Sequence, residues 1–352
     1  MPTMQEQAAH AIRERQAELA EAIVARQYAR QAEVWEPLGN PGRAKSVRDE
    51  GYHLTYLSEA LAAGDTALFN EYLAWAKVLF AGLKFREDVL AVTLETTRQV
   101  LEEKLPAESR QAALEYLDRG LQSLAGAPAR LESYIEADAP LARLARRYLE
   151  ALLQGERASA SQMILEAARQ GTPIKDIYLH VFQRSQREIG RLWQTNQIGV
   201  AQEHFCTAAT QLVMSQLYPY IFASERKGRR MVATCVGGEL HEIGARMVAD
   251  FFEMDGWDTY FLGANTPMES VLRTVAERQA DVLAISATMT FHISKVSELI
   301  AGLRSAGLEG RTKVLAGGYP FNIAPELWKT VGADGYASDA QQALAVAERL
   351  IR

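Results

Sequence analysis

The residues best suited to chemistry lie in Glu239-Leu240-His241-Glu242-Ile243-Gly244, with Ser286, Thr288 and the pair Gly317-Gly318 downstream. Forty-one residues separate Gly244 from Ser286, and 28 separate Thr288 from Gly317. A neutral imidazole such as His241 is a good ligand for a transition metal, and its second ring nitrogen needs a partner to fix the tautomer. Read alone, the hexapeptide is equally an ordinary helix-start histidine after an acid. A second group is Trp193, followed after nine residues by Glu203-His204. A large aromatic excludes water from what it covers, and a carboxylate accepts hydrogen bonds from hydroxyl groups. A third group, His53, Tyr56, Tyr72 and Trp75, offers aromatic rings and one imidazole at helical spacing, which most often means a core or an interface.

Three zones must position these groups. Residues 1–126 read as helices throughout. Good helix formers fill 5–33, Asn40-Pro41-Gly42 is expected to break that run, 45–63 is helical up to Gly64, and Asp65 or Thr66 caps the next helix. Helices are also expected near 85–104 and 107–124, and a linker over 125–130. Residues 141–222 divide into four helical runs, 141–153, 158–170, 174–195 and 200–222, and read as a four-helix bundle with short connections. Over 229–352 the period changes. Short apolar runs at 231–236, 259–262, 282–286 and 313–316, with a weaker one at 335–337, alternate with helical stretches. This predicts a doubly wound parallel sheet whose ligand crevice lies beyond the carboxyl ends of the strands. The hexapeptide, Ser286–Thr288 and Gly317–Gly318 all fall at those ends. The expected class is thus α/β plus all-α: a helical, globin-like N-terminal domain, a four-helix-bundle cap and a Rossmann-like C-terminal domain.

Together the motif and its spacing resemble the cobalamin-binding signature Asp-x-His-x-x-Gly, Ser-x-Leu or Ser-x-Thr, Gly-Gly. The resemblance implies that His241 ligates cobalt from below, that Glu239 accepts its other N–H, and that Ser286 extends the relay. It also implies that Leu240 and Gly244 lie against the corrin, that Thr288 bonds the nucleotide tail, and that Gly317 and Gly318 leave room for that tail. Glu239 stands where Asp is usual, one methylene longer. Trp-x9-Glu-His is similar to the cap signature of light-sensing adenosylcobalamin proteins, in which Trp193 would cover the adenosyl group and Glu203 and His204 would line the same chamber. Gln194 stands where the best-known receptors of that kind carry a histidine. The helical first zone resembles that of the photocobilins, which pair cobalamin with a bilin. His53, Tyr56, Tyr72 and Trp75 would then face biliverdin, held without a thioether because no cysteine precedes Cys206.

The expected function is light sensing through adenosylcobalamin, by a homo-oligomer whose association changes with light and which signals to a downstream protein, without enzymatic catalysis. The alternatives are a corrinoid methyl carrier of a methyltransferase system and a light-independent cobalamin-sensing regulator. At net charge −6, with Lys and Arg dispersed, the chain of 352 residues is a poor candidate for nucleic acid. It has no apolar run of membrane-spanning length, and its two cysteines fit a reducing cytoplasm. His292, after Phe291 at a helix start, reads as a cap; His10 and His180 read as surface or packing residues. Cys206 and Cys235 read as small buried hydrophobes.

Overall fold

A computed structural model describes residues 2–352, which divide into two compact units, one ending at Arg130 and the other spanning Leu131–Arg352. The first unit is all helix: α1 (Met4–Glu14), α2 (Gln16–Arg30), the single turn α3 (Ala32–Trp35), α4 (Gly39–Ala63), α5 (Thr66–Gly82), α6 (Val89–Lys104) and α7 (Ala107–Gly126). Side chains satisfy several of the helix ends. Thr3 and Glu6 form a reciprocal capping box on α1, and the Asp65 carboxylate accepts from the Ala67 N–H, 2.8 Å, at the start of α5. The Lys77 ammonium donates to the Leu124 and Ala127 carbonyls at the end of α7.

The expected break at Asn40-Pro41-Gly42 is a correction. These residues form the first turn of α4, and the interruption lies before them, in α3 and the 3₁₀ turn Glu36–Leu38. Proline is tolerated in a first helical turn, where its missing N–H would have had no partner.

The second unit begins with α8 (Ala142–Leu153) and α9 (Arg157–Arg169). A long helix follows: α10 (Ile174–Ile177), a widened π-helical turn over Tyr178–Phe182, and α11 (Gln183–Gln194). Then come α12 (Val200–Gln216) and α13 (Tyr218–Ile221). Ala142, Ala145, Tyr148, Ala151 and Leu152 form the buried stripe of α8, as a helix facing a core requires. The π turn, which the sequence reading did not anticipate, keeps Tyr178, Val181 and Phe182 all buried.

The sheet is wholly parallel, in the order β2-β1-β3-β4-β5. Its strands and helices run β1 (Arg230–Cys235), α14 (Ile243–Met254), β2 (Asp258–Gly263), α15 (Met268–Arg278), β3 (Val282–Ser286), α16 (Ile293–Ser305), β4 (Lys313–Gly317), α17 (Tyr319–Ile323), α18 (Leu327–Val331), β5 (Gly335–Ala337) and α19 (Ala340–Leu350). The central strands are buried almost end to end because helices cover both faces. Strand order reverses between β1 and β3, and their carboxyl ends, Cys235 and Ser286, lie in register. That is the switch point at which such sheets bind ligands.

The four-helix bundle is tied to the sheet layer through α14. The Tyr178 hydroxyl donates to Asp250, 2.7 Å, and Arg246 donates to the Gln211 carbonyl and the Ser215 hydroxyl.

Candidate functional site

The loop from β1 into α14 carries His241. Its Nδ1 lies 2.6 Å from Glu239 Oε1, and its backbone N–H donates to the same oxygen at 3.0 Å. The extra methylene of Glu239 therefore does not prevent the contact. Glu239 is fully buried, whereas the His241 side chain is 59% exposed. The other carboxylate oxygen, Oε2, accepts from the Thr288 N–H at 2.8 Å, the Met289 N–H at 3.0 Å and His292 Nδ1 at 2.9 Å. Burial alone would raise the Glu239 carboxyl. The hydrogen bonds from His241, His292 and the backbone outweigh it and hold the group well below the usual carboxylate range. The Glu239 hydrogen bond in turn raises the His241 pKa against the effect of burial.

An ionised carboxylate only accepts, so Nδ1 of His241 carries the proton and the Nε2 lone pair is left available. The imidazole is thus oriented from behind by a carboxylate, and its remaining nitrogen fits a transition metal presented from the cavity side. The loop is pinned from behind. The Gly238 N–H donates to Asn265 Oδ1 at 2.7 Å, and the Asn265 N–H donates to the Glu239 carbonyl.

Between the four-helix bundle and the sheet lies a cavity of about 660 Å3, within the size range of small-molecule sites. Trp193, Glu203 and His204 line it from the bundle. Leu240, His241, Gly244, Ser286, Thr288, Gly317 and Gly318 line it from the strand ends. The structure therefore brings together every residue expected there except Glu239, which stands behind His241. At Gly244 a Cβ would meet nothing within 4 Å, so the cavity wall is open there.

Glu203 is held by the Thr207 hydroxyl at 2.9 Å and contacts the ring of the exposed His204. Gln194 is buried and does not line the cavity, so the position next to Trp193 faces the bundle interior.

Two expectations are corrected, and a third gains a further reason. Ser286 lines the cavity but is absent from the Glu239 relay; His292 takes that place. His292 is accordingly no simple helix cap, being 5% exposed and bonded to Glu239. Gly318 is glycine because of the chain's own path. Its φ is +107°, and a Cβ there would come 2.0 Å from the Ala287 carbonyl oxygen. Sequence reasoning also missed Glu242, whose carboxylate accepts from Gln211 of α12 and from the Ala264 N–H and so clamps bundle to loop. No spacing signal marked it or His292.

In the first unit, His53, Tyr56, Tyr72 and Trp75 meet on α4 and α5. The Tyr72 hydroxyl lies 2.7 Å from His53 Nδ1, the Tyr56 and Tyr72 rings stack at 3.6 Å, and Tyr72 stacks with Trp75 at 6.2 Å. Burial pushes the His53 imidazole down to about 4, so it is neutral at pH 7.

Models of known protein families match three stretches of the chain: a B12 binding domain over residues 229–345, a second B12 binding domain over 144–218, and a phycobilisome protein over 3–124. The dimethylamine corrinoid protein 3 of Methanosarcina acetivorans is 28% identical over 189 residues, which are 53% of this chain and 87% of that one. Its counterpart from Methanosarcina mazei is 30% identical over 139 residues, 39% of this chain and 81% of that one. Among solved structures, the monomethylamine corrinoid protein of Methanosarcina barkeri aligns over its full length with 60% of this chain. Its TM-score is 0.54 at 22% identity, a likeness of fold.

Proposed function

Because the chain belongs to the corrinoid-protein family, we propose that it holds cobalamin between the four-helix bundle and the sheet, with His241 Nε2 as the lower cobalt ligand, and that it uses the cofactor to receive light. Glu239 orients His241, Trp193 covers the upper face, and Glu203 and His204 bind polar groups of the upper ligand. Gly244 and the strand ends at Ser286, Thr288, Gly317 and Gly318 border the corrin and its tail. Bound adenosylcobalamin supplies a cobalt–carbon bond that visible light breaks. The residues of this chain exclude water, hold the imidazole in one tautomer, and couple the upper face to the bundle surface through Trp193. The output is a change of self-association or of contact with a partner protein.

The observation that carries this reading is the first unit. The phycobilisome family match covers residues 3–124, and the aromatic cluster on α4 and α5 lies inside it. A non-covalently held bilin is the pigment such a unit fits, with His53, Tyr56, Tyr72 and Trp75 beside it.

The corrinoid relatives favour a second reading, a methyl carrier serving a methyltransferase, and they support it better than they support light reception. That reading accounts for the two B12 binding domains and leaves the first 124 residues without a task.

One experiment separates the two. The protein is loaded in the dark with adenosylcobalamin and biliverdin, and its spectrum and elution volume are recorded before and after illumination. A photolysed cobalamin spectrum, a red-absorbing bilin band and a shifted elution volume are expected. An unchanged spectrum and elution volume, with retention of methylcobalamin alone, would overturn light sensing in favour of the carrier.

A further inference from the structure

We infer that His292, and not the motif serine Ser286, is the positioning residue that completes the hydrogen-bond relay behind the lower ligand. The inference rests on the reading of His241 as that ligand. Glu239 Oε1 faces His241, which it engages through both backbone N–H and ring Nδ1. Oε2 faces the turn after β3, where its donors are the Thr288 and Met289 N–H groups and His292 Nδ1. Two of those three donors are backbone. Among the described residues, His292 is therefore the one side chain on that oxygen that a substitution can remove.

The ring is well placed to hold it. His292 is buried, packs edge-on against Phe291 with centroids 4.5 Å apart, and lies directly beneath the loop that carries Glu239. At Gly238 the backbone has φ +86°, and a Cβ would come 3.2 Å from His292 Nε2, so the loop rests on the imidazole. The longer arm of glutamate reaches both histidines at once: one carboxylate couples an exposed imidazole at the cavity to a buried one at the foot of α16. Removing the donor leaves Oε2 on the Thr288 and Met289 N–H groups alone, which loosens its hold and with it the orientation of the His241 ring. Loss of the direct hydrogen-bond partner of a metal-bound histidine typically weakens metal affinity about 10- to 100-fold, and His292, one bond further back, acts at or below the lower end of that range.

The test uses the full chain with cob(II)inamide, the corrinoid that lacks a nucleotide base, so that any nitrogen splitting of the electron paramagnetic resonance signal comes from a protein imidazole; affinity is read beside it. His292→Phe keeps a ring and removes the donor. We expect affinity weaker by up to about 10-fold and a diminished histidine nitrogen signature. His292→Asn places an amide N–H near the former Nδ1 and should restore most of both, which a purely space-filling role would not. Should the phenyl ring prevent folding, His292→Leu removes the donor with less rigid bulk and carries the same expectation. Wild-type affinity and splitting in the variant lacking the donor would overturn the inference. His241→Ala is the control: if it keeps the nitrogen splitting, the ligand assignment itself has failed, whereas a silent His292→Phe beside a responsive His241→Ala condemns this inference alone.

Discussion

Glu239 in the second unit and Glu50 in the first are both buried glutamates, at 0% and 2% exposure, yet they are held in opposite states. Five hydrogen-bond donors surround the Glu239 carboxylate and keep it ionised. Among the described residues Glu50 has one hydrogen-bond partner, Thr97 Oγ1 at 3.0 Å, and burial pushes its pKa up to about 8. The geometry agrees with a protonated Glu50. Thr97 Oγ1 also lies 2.9 Å from the Thr93 carbonyl, and a hydroxyl has a single proton. If that proton goes to Thr93, the Glu50 carboxyl must donate to Thr97. Equal burial thus gives a fixed anion in one place and a neutral acid in the other; the number of donors decides which.

The largest expected effect comes from making Glu239 resemble Glu50. Glu239→Gln removes the charge that orients His241, and its amide N–H₂ would face N–H donors on one edge. Cobalamin affinity should fall about 10- to 100-fold, measured by absorbance titration. A variant that binds within twofold of wild type would mean that the anion contributes no more than a neutral carboxyl does.

How far the sequence reached follows the same division. The strand ends of the second unit were legible because apolar runs of three to six residues, bounded by glycine and polar residues, mark buried parallel strands, and the motif residues sit just beyond them. The Glu239–His241 pair was legible because it is local, two residues apart. His292 was not, because a contact across 53 residues depends on how the turn after β3 folds back under the β1 loop. Glu242 was not, because its partners lie on α12 and after β2. In the first unit the helices could be read, but an aromatic at helical spacing carries no mark that separates a pigment contact from core. The break assigned to Pro41 failed because proline ends a helix only from inside it.

The next effect in size belongs to Glu50. Its folded pKa of about 8 lies above the ordinary 4.5, so the native state holds a proton that the unfolded chain releases. The unfolded state then binds fewer protons between those values, and stability falls as pH rises from about 4.5 to about 8. His53 acts with the opposite slope. Its folded pKa is about 4 against 6.5, so its contribution is present above 6.5 and is lost as pH falls toward 4. Glu50→Gln keeps the shape and removes the acid. Melting temperatures of the variant and wild type should be similar at pH 5, and the variant should melt higher at pH 9. A variant that melts lower at pH 9 would show that Glu50 is ionised and paired after all, which would erase the contrast with Glu239.

The smallest effect tests the single donor. Thr97→Val keeps the shape of the side chain but leaves the Glu50 carboxyl without a partner, at a cost of about 1–3 kcal/mol for an unsatisfied buried polar group. The loss should appear at pH 5, where the carboxyl is protonated in the native state and charge plays no part. The gap from wild type should stay level up to about pH 8, where both native states hold the proton, and grow only above it, because Thr97 lowers the Glu50 pKa and its removal keeps the acid neutral to higher pH. Combining Thr97→Val with Glu50→Gln should remove that growth with pH and leave the pH-independent part, since glutamine has the same unmet polar group and no proton to lose. If the double variant still loses stability above about pH 8 as steeply as Thr97→Val alone, the slope arises elsewhere in the first unit, and the scarcity of donors around Glu50 is not what keeps it neutral.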